Sequence, residues 1–153
     1  MIQNLILSGV GGQGILTIAH VISSAALKLG MQIKQAEVHG MSQRGGGVES
    51  HLRISDQEIF SDLIPHGQAD LIISVEPLES LRYVQFLKKE SGGIVSSINP
   101  FLNIDNYPPI EDVLSRITSY PKHVLLDAVK VARAAGSARA VNIAILGATS
   151  PYL

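Results

Sequence analysis

Leu5-Ile6-Leu7-Ser8-Gly9-Val10-Gly11-Gly12-Gln13-Gly14 runs straight into the apolar stretch Ile15 to Leu29, and this junction decides the fold. A short apolar run that ends at glycines reads as a buried strand, here Gln3 to Ser8. Behind the glycines, Ile15, Leu16, Ile18, Ala19, Val21, Ile22, Ala25, Ala26 and Leu29 form a helix that is apolar around most of its girth. Gly30, after Lys28, stops it in the manner of a C-terminal cap. The glycines therefore make a strand-to-helix turn. Such a turn leaves backbone N–H groups at the helix start unpaired, with the helix dipole behind them, so an anion is its natural guest.

Met31 to Glu37 predicts a second strand, and a strand, crossover helix, strand unit is parallel and right-handed. A second glycine cluster follows it, His39-Gly40-Met41-Ser42-Gln43-Arg44-Gly45-Gly46-Gly47. Val48 to Ile54 alternates apolar and polar residues, which predicts a half-exposed strand. Ser55-Asp56-Gln57-Glu58 then turns into Ile59-Phe60, so an antiparallel hairpin near residues 47–60 is expected at the sheet margin. Ala69 to Val75, Gly93 to Ile98 and Val124 to Asp127 read as further strands. Helices are expected over Leu78 to Lys88, Ile110 to Ile117 and Ala128 to Ala135, and again from Asn142 almost to the end. Asn99 to Pro109, with its Asn, Asp and three prolines, predicts an irregular connection. The alternation defines one α/β domain over residues 1–153, three-layered and Rossmann-like, with a mainly parallel sheet.

The bulk numbers agree with one core of ordinary size in 153 residues. Hydrophobic residues reach 46% and charged ones only 16%, where a soluble domain carries about a quarter. Two explanations fit equally: surplus apolar surface that meets a partner, or a sheet buried on both faces. A net charge of −1, scattered along the chain, supplies no electrostatic reason to bind nucleic acid or an anionic membrane. The N-terminus lacks the basic region of a secretory signal, and Ile15 to Leu29 is shorter than the roughly 20 apolar residues of a bilayer span. A cytoplasmic location is the resulting expectation. Cysteine is absent, which excludes disulfides, thiolate nucleophiles and iron–sulfur ligation by this chain.

Gly9, Gly11 and Gly14 satisfy G-x-G-x-x-G, and Glu37 closes the second strand where a dinucleotide fold holds ribose. Taken alone this suggests a nicotinamide or flavin cofactor; a tight turn without a ligand fits as well. Gln13 adds an amide that both donates and accepts. In the second cluster His39, Ser42, Gln43 and Arg44 bring a titratable ring, a hydroxyl, an amide and a guanidinium fork together, and Gly45-Gly46-Gly47 admits close backbone approach. A parallel sheet places both clusters beside one crevice at its carboxyl end. Other chemistry is poorly supported. Ser42 and Ser50 lack the G-x-S-x-G setting of a hydrolase. His20 lies on an apolar helix and reads as a core or interface residue, His51 and Glu49 share one side of a strand, and His66 and His123 stand alone, so no metal-ligand spacing emerges. Glu76, before Pro77, either faces the crevice or serves the start of the next helix.

Gly9 to Gly14, the segment Glu37 to Gly46 and the later Ala140-Val141-Asn142-Ile143-Ala144-Ile145-Leu146-Gly147-Ala148 together resemble the gamma domain of 2-oxoacid:ferredoxin oxidoreductases. The wording His39-Gly40-Met41-Ser42-Gln43-Arg44-Gly45-Gly46 is most similar to the beta subunit of the indolepyruvate branch. The resemblance covers nearly the whole chain. It implies a role in oxidative decarboxylation of a 2-oxoacid on thiamine diphosphate, with electrons passed through iron–sulfur clusters to ferredoxin and an acyl-coenzyme A released. It places thiamine diphosphate and the clusters in a larger alpha subunit, so this chain is expected to be a non-catalytic beta or gamma subunit with no catalytic or metal-ligating residue. Gly9, Gly11, Gly12, Gln13, Gly14, Ser42, Gln43, Arg44, Gly45 and Gly46 are then the candidates to help seat coenzyme A or to contact the alpha subunit. The isolated chain is expected to self-associate through its apolar surface. Family members continue past the Asn142 helix with helical sequence, whereas this chain ends at Pro151-Tyr152-Leu153. Two other classes stay open on the residues alone: a free-standing dinucleotide-binding dehydrogenase domain and a nucleotide-sensing regulatory module.

Overall fold

The computed structural model describes residues 2–39 and 45–153. A six-stranded sheet is built from β1 (Ile2–Val10), β2 (Gln32–His39), β3 (Gly47–Ser55), β4 (Leu71–Ser74), β5 (Gly93–Ser97) and β6 (Lys122–Leu126), in the order β2-β3-β1-β4-β5-β6. β1, β4, β5 and β6 are parallel neighbours, and β3 runs antiparallel to both β1 and β2. Helices cover both faces, as three layers require. On one face α1 (Ile15–Lys28), α4 (Ala128–Ala134) and α5 (Val141–Thr149) pack Ile18, Ile22, Ala128 and Ile145 onto Leu5, Leu7, Leu52 and Ile73. On the other, α2 (Pro77–Leu81) and α3 (Ile110–Thr118) lie over Ile6, Ile72 and Ile94. α3 shows why so polar a segment is helical: Val113 and Ile117, one turn apart, are its two buried residues, and Glu111 and Asp112 sit in its first turn.

The antiparallel element expected near 47–60 is present as β3, but its partners are β1 and β2 rather than Ile59-Phe60. Both edges of β3 are occupied, so no ladder position is left for residues 59 and 60. The segment after β3 is held by side chains instead. Arg53 Nη1 donates to the carbonyls of Ser61 (2.8 Å) and Leu63 (3.2 Å), and the Ile64 N–H donates to His51 Nδ1 (3.0 Å). The same insertion explains why β3 is mostly buried where half exposure was expected. It also corrects the first crossover: β1 and β2 point the same way through α1 but are not neighbours. β2 is the edge strand, guarded by exposed Lys34, Gln35 and Glu37.

The helix expected over Leu78 to Lys88 is shorter, with α2 ending at Leu81 and a single 3-10 turn at Val84–Phe86. Tertiary pairing overrides the helical pattern there. Ala69 donates to the Phe86 carbonyl (2.7 Å) and accepts from the Lys88 N–H (2.9 Å), so the chain must straighten at Leu87. The sheet is buried on two faces, and large apolar side chains also face solvent, among them Phe60 (88% exposed) and Leu29 (81%).

Candidate functional site

The parallel strands deliver their carboxyl ends to one edge of the sheet, where ligands of open α/β sheets bind. At that edge β1 turns into α1 through Gly11 to Gly14. The turn is closed from both sides: Val10 N–H donates to Gln13 Oε1 (2.8 Å), and Gln13 N–H donates to the Val10 carbonyl (3.1 Å). Gln13 is thus an internal brace of the turn. Gly14 is the N-cap residue before α1 at φ 77°, in the left-handed region, and among the described residues no side chain caps the helix. α5 also begins without a side-chain cap, at Ala140. The two helix starts are fastened together, because Asn142 Nδ2 donates to the Gly14 carbonyl (3.2 Å). Two helix N-termini whose N-cap residues offer no side-chain cap therefore converge on one place, each with a positive dipole end, although in α5 the Ile143 N–H already donates to Asn142 Oδ1 (3.0 Å).

The second glycine cluster closes the other wall. Gly47 pairs in register with Val10, and Gly11 N–H donates to the Gly46 carbonyl (2.9 Å). Asn103, in the connection from Asn99 to Pro109, donates from Nδ2 to the Gly45 carbonyl (2.6 Å). The structure thus brings Gly11, Gly12, Gln13, Gly14, Gly45 and Gly46 together at the carboxyl end of β1, while Gly9 is buried in β1 beneath the turn, where a Cβ would stand 2.5 Å from Ile15. Ser42, Gln43 and Arg44 lie outside the described residues.

Two buried carboxylates lie close by: Glu76, which the sequence placed either at the crevice or at the start of the next helix, and Glu79, which it did not single out. Glu76 is 1% exposed. Its Oε2 accepts from the Glu79 N–H (2.8 Å), and its Oε1 accepts from the Phe101 N–H (3.2 Å) and the Tyr107 hydroxyl (2.5 Å). It therefore serves the start of α2 and also reaches across to the opposite wall. Glu79 shares one oxygen with Arg82 Nε (3.0 Å), while its Oε2 is buried close over Gly47 with no hydrogen-bond partner. Burial pushes the Glu79 carboxyl above its ordinary value, with Arg82 opposing and Glu76 adding to the shift. Burial raises the Tyr107 phenol too, reinforced by its hydrogen bond to Glu76.

The ribose role expected of Glu37 fails on topology. β3 occupies the place beside β1 that the second strand of a dinucleotide fold would take, leaving Glu37 two strands away from the turn, about 10 Å at ordinary strand spacing. Its carboxylate accepts from Gln35 Nε2 (2.9 Å) on the sheet margin. Four of the five histidines are accounted for elsewhere, and the side chain of His39 lies outside what is described. His51 is buried, accepts from Ile64, stands 3.6 Å from Glu49 on the shared side of β3, and packs edge-on against Phe86. His66 meets the same ring. His123 lies near the Tyr120 carbonyl, and His20 is exposed on α1 rather than in the core. Among the described residues no group of three or more His, Asp or Glu is arranged for a metal. A cavity of 430 Å³ opens at the far, amino-terminal edge of the sheet between Gln3, Gly93, Lys122 and Tyr152. Its carboxylate, Asp70, is already taken by Lys88 and the Asn4 N–H, so the glycine crevice remains the candidate site.

The sequence pattern of the pyruvate ferredoxin/flavodoxin oxidoreductase family matches residues 4–153, and the chain belongs to that family. It is 39% identical to the indolepyruvate oxidoreductase subunit IorB of Pyrococcus horikoshii, over 95% of this chain and 75% of that one. It is 38% identical to the protein of the same name from Archaeoglobus fulgidus, over 97% and 76%. Among solved structures, the keto/oxoacid ferredoxin oxidoreductase gamma subunit from Geobacter sulfurreducens matches with a TM-score of 0.65 at 23% identity, over 96% of this chain and 75% of that one. The 2-oxoglutarate:ferredoxin oxidoreductase from Magnetococcus marinus, with 2-oxoglutarate, coenzyme A and succinyl-CoA bound, matches with a TM-score of 0.70 at 18% identity, over 97% of this chain and 24% of that one. These likenesses carry the fold. These sequence relatives are named as subunits of an oxidoreductase. No described helix is long and apolar enough to cross a membrane.

Proposed function

We propose that residues 1–153 form one gamma-type domain that completes an indolepyruvate or related aryl-pyruvate ferredoxin oxidoreductase, and that its glycine crevice helps seat coenzyme A. The observation that carries this is the meeting of the starts of α1 and α5 at Gly14 and Asn142, opposite Gly45 and Gly46. Backbone N–H groups and positive dipole ends in that arrangement suit a phosphate or pyrophosphate. In this reading Gly9, Gly11, Gly12, Gln13 and Gly14 shape one wall and Gly45 and Gly46 the other, and the sequence neighbours Ser42, Gln43 and Arg44 complete the ligand set, with the Arg44 guanidinium offering charge-assisted bonds to phosphate oxygens. The Magnetococcus marinus protein of the same fold is described with coenzyme A bound. The partner in this reading is a larger alpha subunit that carries thiamine diphosphate and the iron–sulfur clusters and hands electrons to ferredoxin. A chain without cysteine cannot ligate such clusters itself. The assembly is cytoplasmic, and the isolated chain self-associates through its exposed apolar side chains.

Arg44→Ala is expected to lower the activity of the assembled complex while leaving the far-ultraviolet circular dichroism and melting of this subunit as in wild type. Wild-type rates from the reconstituted variant would remove Arg44 from the site. Titration calorimetry with coenzyme A, NAD and ADP separates the alternatives. Tight NAD binding by the chain alone would indicate a dehydrogenase domain, and ADP binding without a partner would indicate a nucleotide sensor.

A further inference from the structure

The buried carboxylate of Glu76 does more than a helix start needs. Capping α2 occupies only Oε2, which takes the Glu79 N–H. Asp, Asn and Ser do that task well, and Glu is not among the favoured caps because its carboxylate stands one methylene too far out. Here the extra length carries Oε1 to two donors of the Asn99 to Pro109 connection, the Phe101 N–H and the Tyr107 hydroxyl. That connection has little internal support; among the described residues its own backbone contributes the Asn103 N–H to Phe101 carbonyl bond (2.8 Å). Two residues past Phe101, Asn103 holds the Gly45 carbonyl, and the next carbonyl, that of Gly46, receives the Gly11 N–H. A path of hydrogen bonds joined by two short lengths of backbone, Phe101 to Asn103 and Gly45 to Gly46, thus runs from one buried carboxylate, through a strap, to both glycine clusters.

We propose that Glu76 is a positioning residue for the glycine crevice: by anchoring the strap at Phe101 and Tyr107 it sets Asn103 against Gly45 and so fixes the distance between the two glycine walls. The ligand arm of the test rests on the coenzyme A reading above, and the exchange arm does not. A charged acceptor is required at Glu76, since three donors converge on its two oxygens and an amide would turn its own donor toward one of them.

Hydrogen exchange of the full chain, read peptide by peptide, tests the relay. Glu76→Asp retains the cap and withdraws the carboxylate from the strap. It is expected to leave the α2 amides near wild type and to speed exchange at Phe101 and Gly11 by about tenfold, the effect of losing a hydrogen bond to a charged group. Tyr107→Phe, which keeps the cap and the Phe101 bond, covers the case in which the shortened acid unfolds the domain, and should speed Gly11 by a smaller factor. Asn103→Ala should speed Gly11 while leaving Phe101 unchanged. In the assembled complex each variant is expected to raise KM for coenzyme A more than it lowers kcat. If Gly11 exchanges at the wild-type rate in all three variants, Glu76 is a helix cap and nothing further. If Gly11 responds while KM for coenzyme A stays put, the positioning role stands and the coenzyme A reading falls.

Discussion

Gly14→Ala tests how the two helix starts are joined. At φ 77° a Cβ costs about 1–2 kcal/mol in the left-handed region, whatever the surroundings. The surroundings add to this, because that Cβ would stand 2.6 Å from Asn142 Nδ2. Asn142 must then move and give up its bond to the Gly14 carbonyl, which contributes about 1 kcal/mol. The total is about 2–3 kcal/mol, or a fall in Tm of about 4–12 °C for a domain of this size. Thermal and urea unfolding of the isolated chain measure it. A double-mutant cycle with Asn142→Ala separates the two parts. Removing the amide relieves the crowding, so Gly14→Ala should cost about 1 kcal/mol less in that background. Gly12→Ala is the control, since φ 98° imposes conformational strain but a Cβ there meets nothing within 4 Å, and its cost should be independent of Asn142. A cost below about 0.5 kcal/mol for Gly14→Ala, or strict additivity with Asn142→Ala, would refute the docking of α5 on the β1–α1 turn.

Gln13→Ala removes the acceptor of the Val10 N–H and should destabilise the chain by about 1–2 kcal/mol; urea melts provide the number, and calorimetry should show weaker coenzyme A binding as the turn loosens. Glu79→Gln tests the buried carboxyl through pH. Burial raises the Glu79 pKa above its ordinary 4.5, so its contribution to stability is present below that value and is lost as pH rises through the folded-state pKa. The variant carries no such loss and should gain in Tm over the native chain between pH 4 and pH 7; a native chain that gains on the variant over that interval would contradict the burial argument. Asp127 moves the opposite way. Its carboxyl is held low by the Lys130 N–H and Asn99, so the stability it contributes at neutral pH is lost on acidification, and Asp127→Asn should flatten that part of the acid limb in pH-dependent melts.

The helical and parallel part of the fold was legible because each element announces itself locally. Leu5-Ile6-Leu7 and Leu71-Ile72-Ile73 are continuous apolar runs, and glycines or proline punctuate their ends. β3 was legible as a strand but not as an inserted one. Alternation reports which residues face a core, and nothing in Val48 to Ile54 states that both of its ladder edges are filled. The glycine walls were readable for the same local reason, including their meeting at one edge. Glu76 was readable as a residue of the crevice or of the α2 start, but its partners in the strap were not, and neither was Asn103, because these contacts span 31 and 58 residues that no period describes; Glu79 was missed although its pairing with Arg82 has ordinary helical i,i+3 spacing. Asn142 stood inside a motif that already pointed to the family, and its contact with Gly14 spans 128 residues. The ribose role for Glu37 was lost for one topological reason: a motif of glycines specifies a turn, and the strand that settles beside it decides what that turn can hold.

The inserted strand also bears on how the polypeptide matures at the ribosome. β1 leaves the exit tunnel first, yet its ladder on one side is completed only by residues 47–55 and on the other by residues 71–74. Until residue 55 has been synthesised Leu5, Ile6 and Leu7 have two open edges, and until residue 74 one, with no second layer over both faces, the condition in which nascent chains recruit holdase chaperones or associate with one another. Slowing translation between codons 10 and 47 should therefore lower soluble yield more than the same pause placed after codon 74.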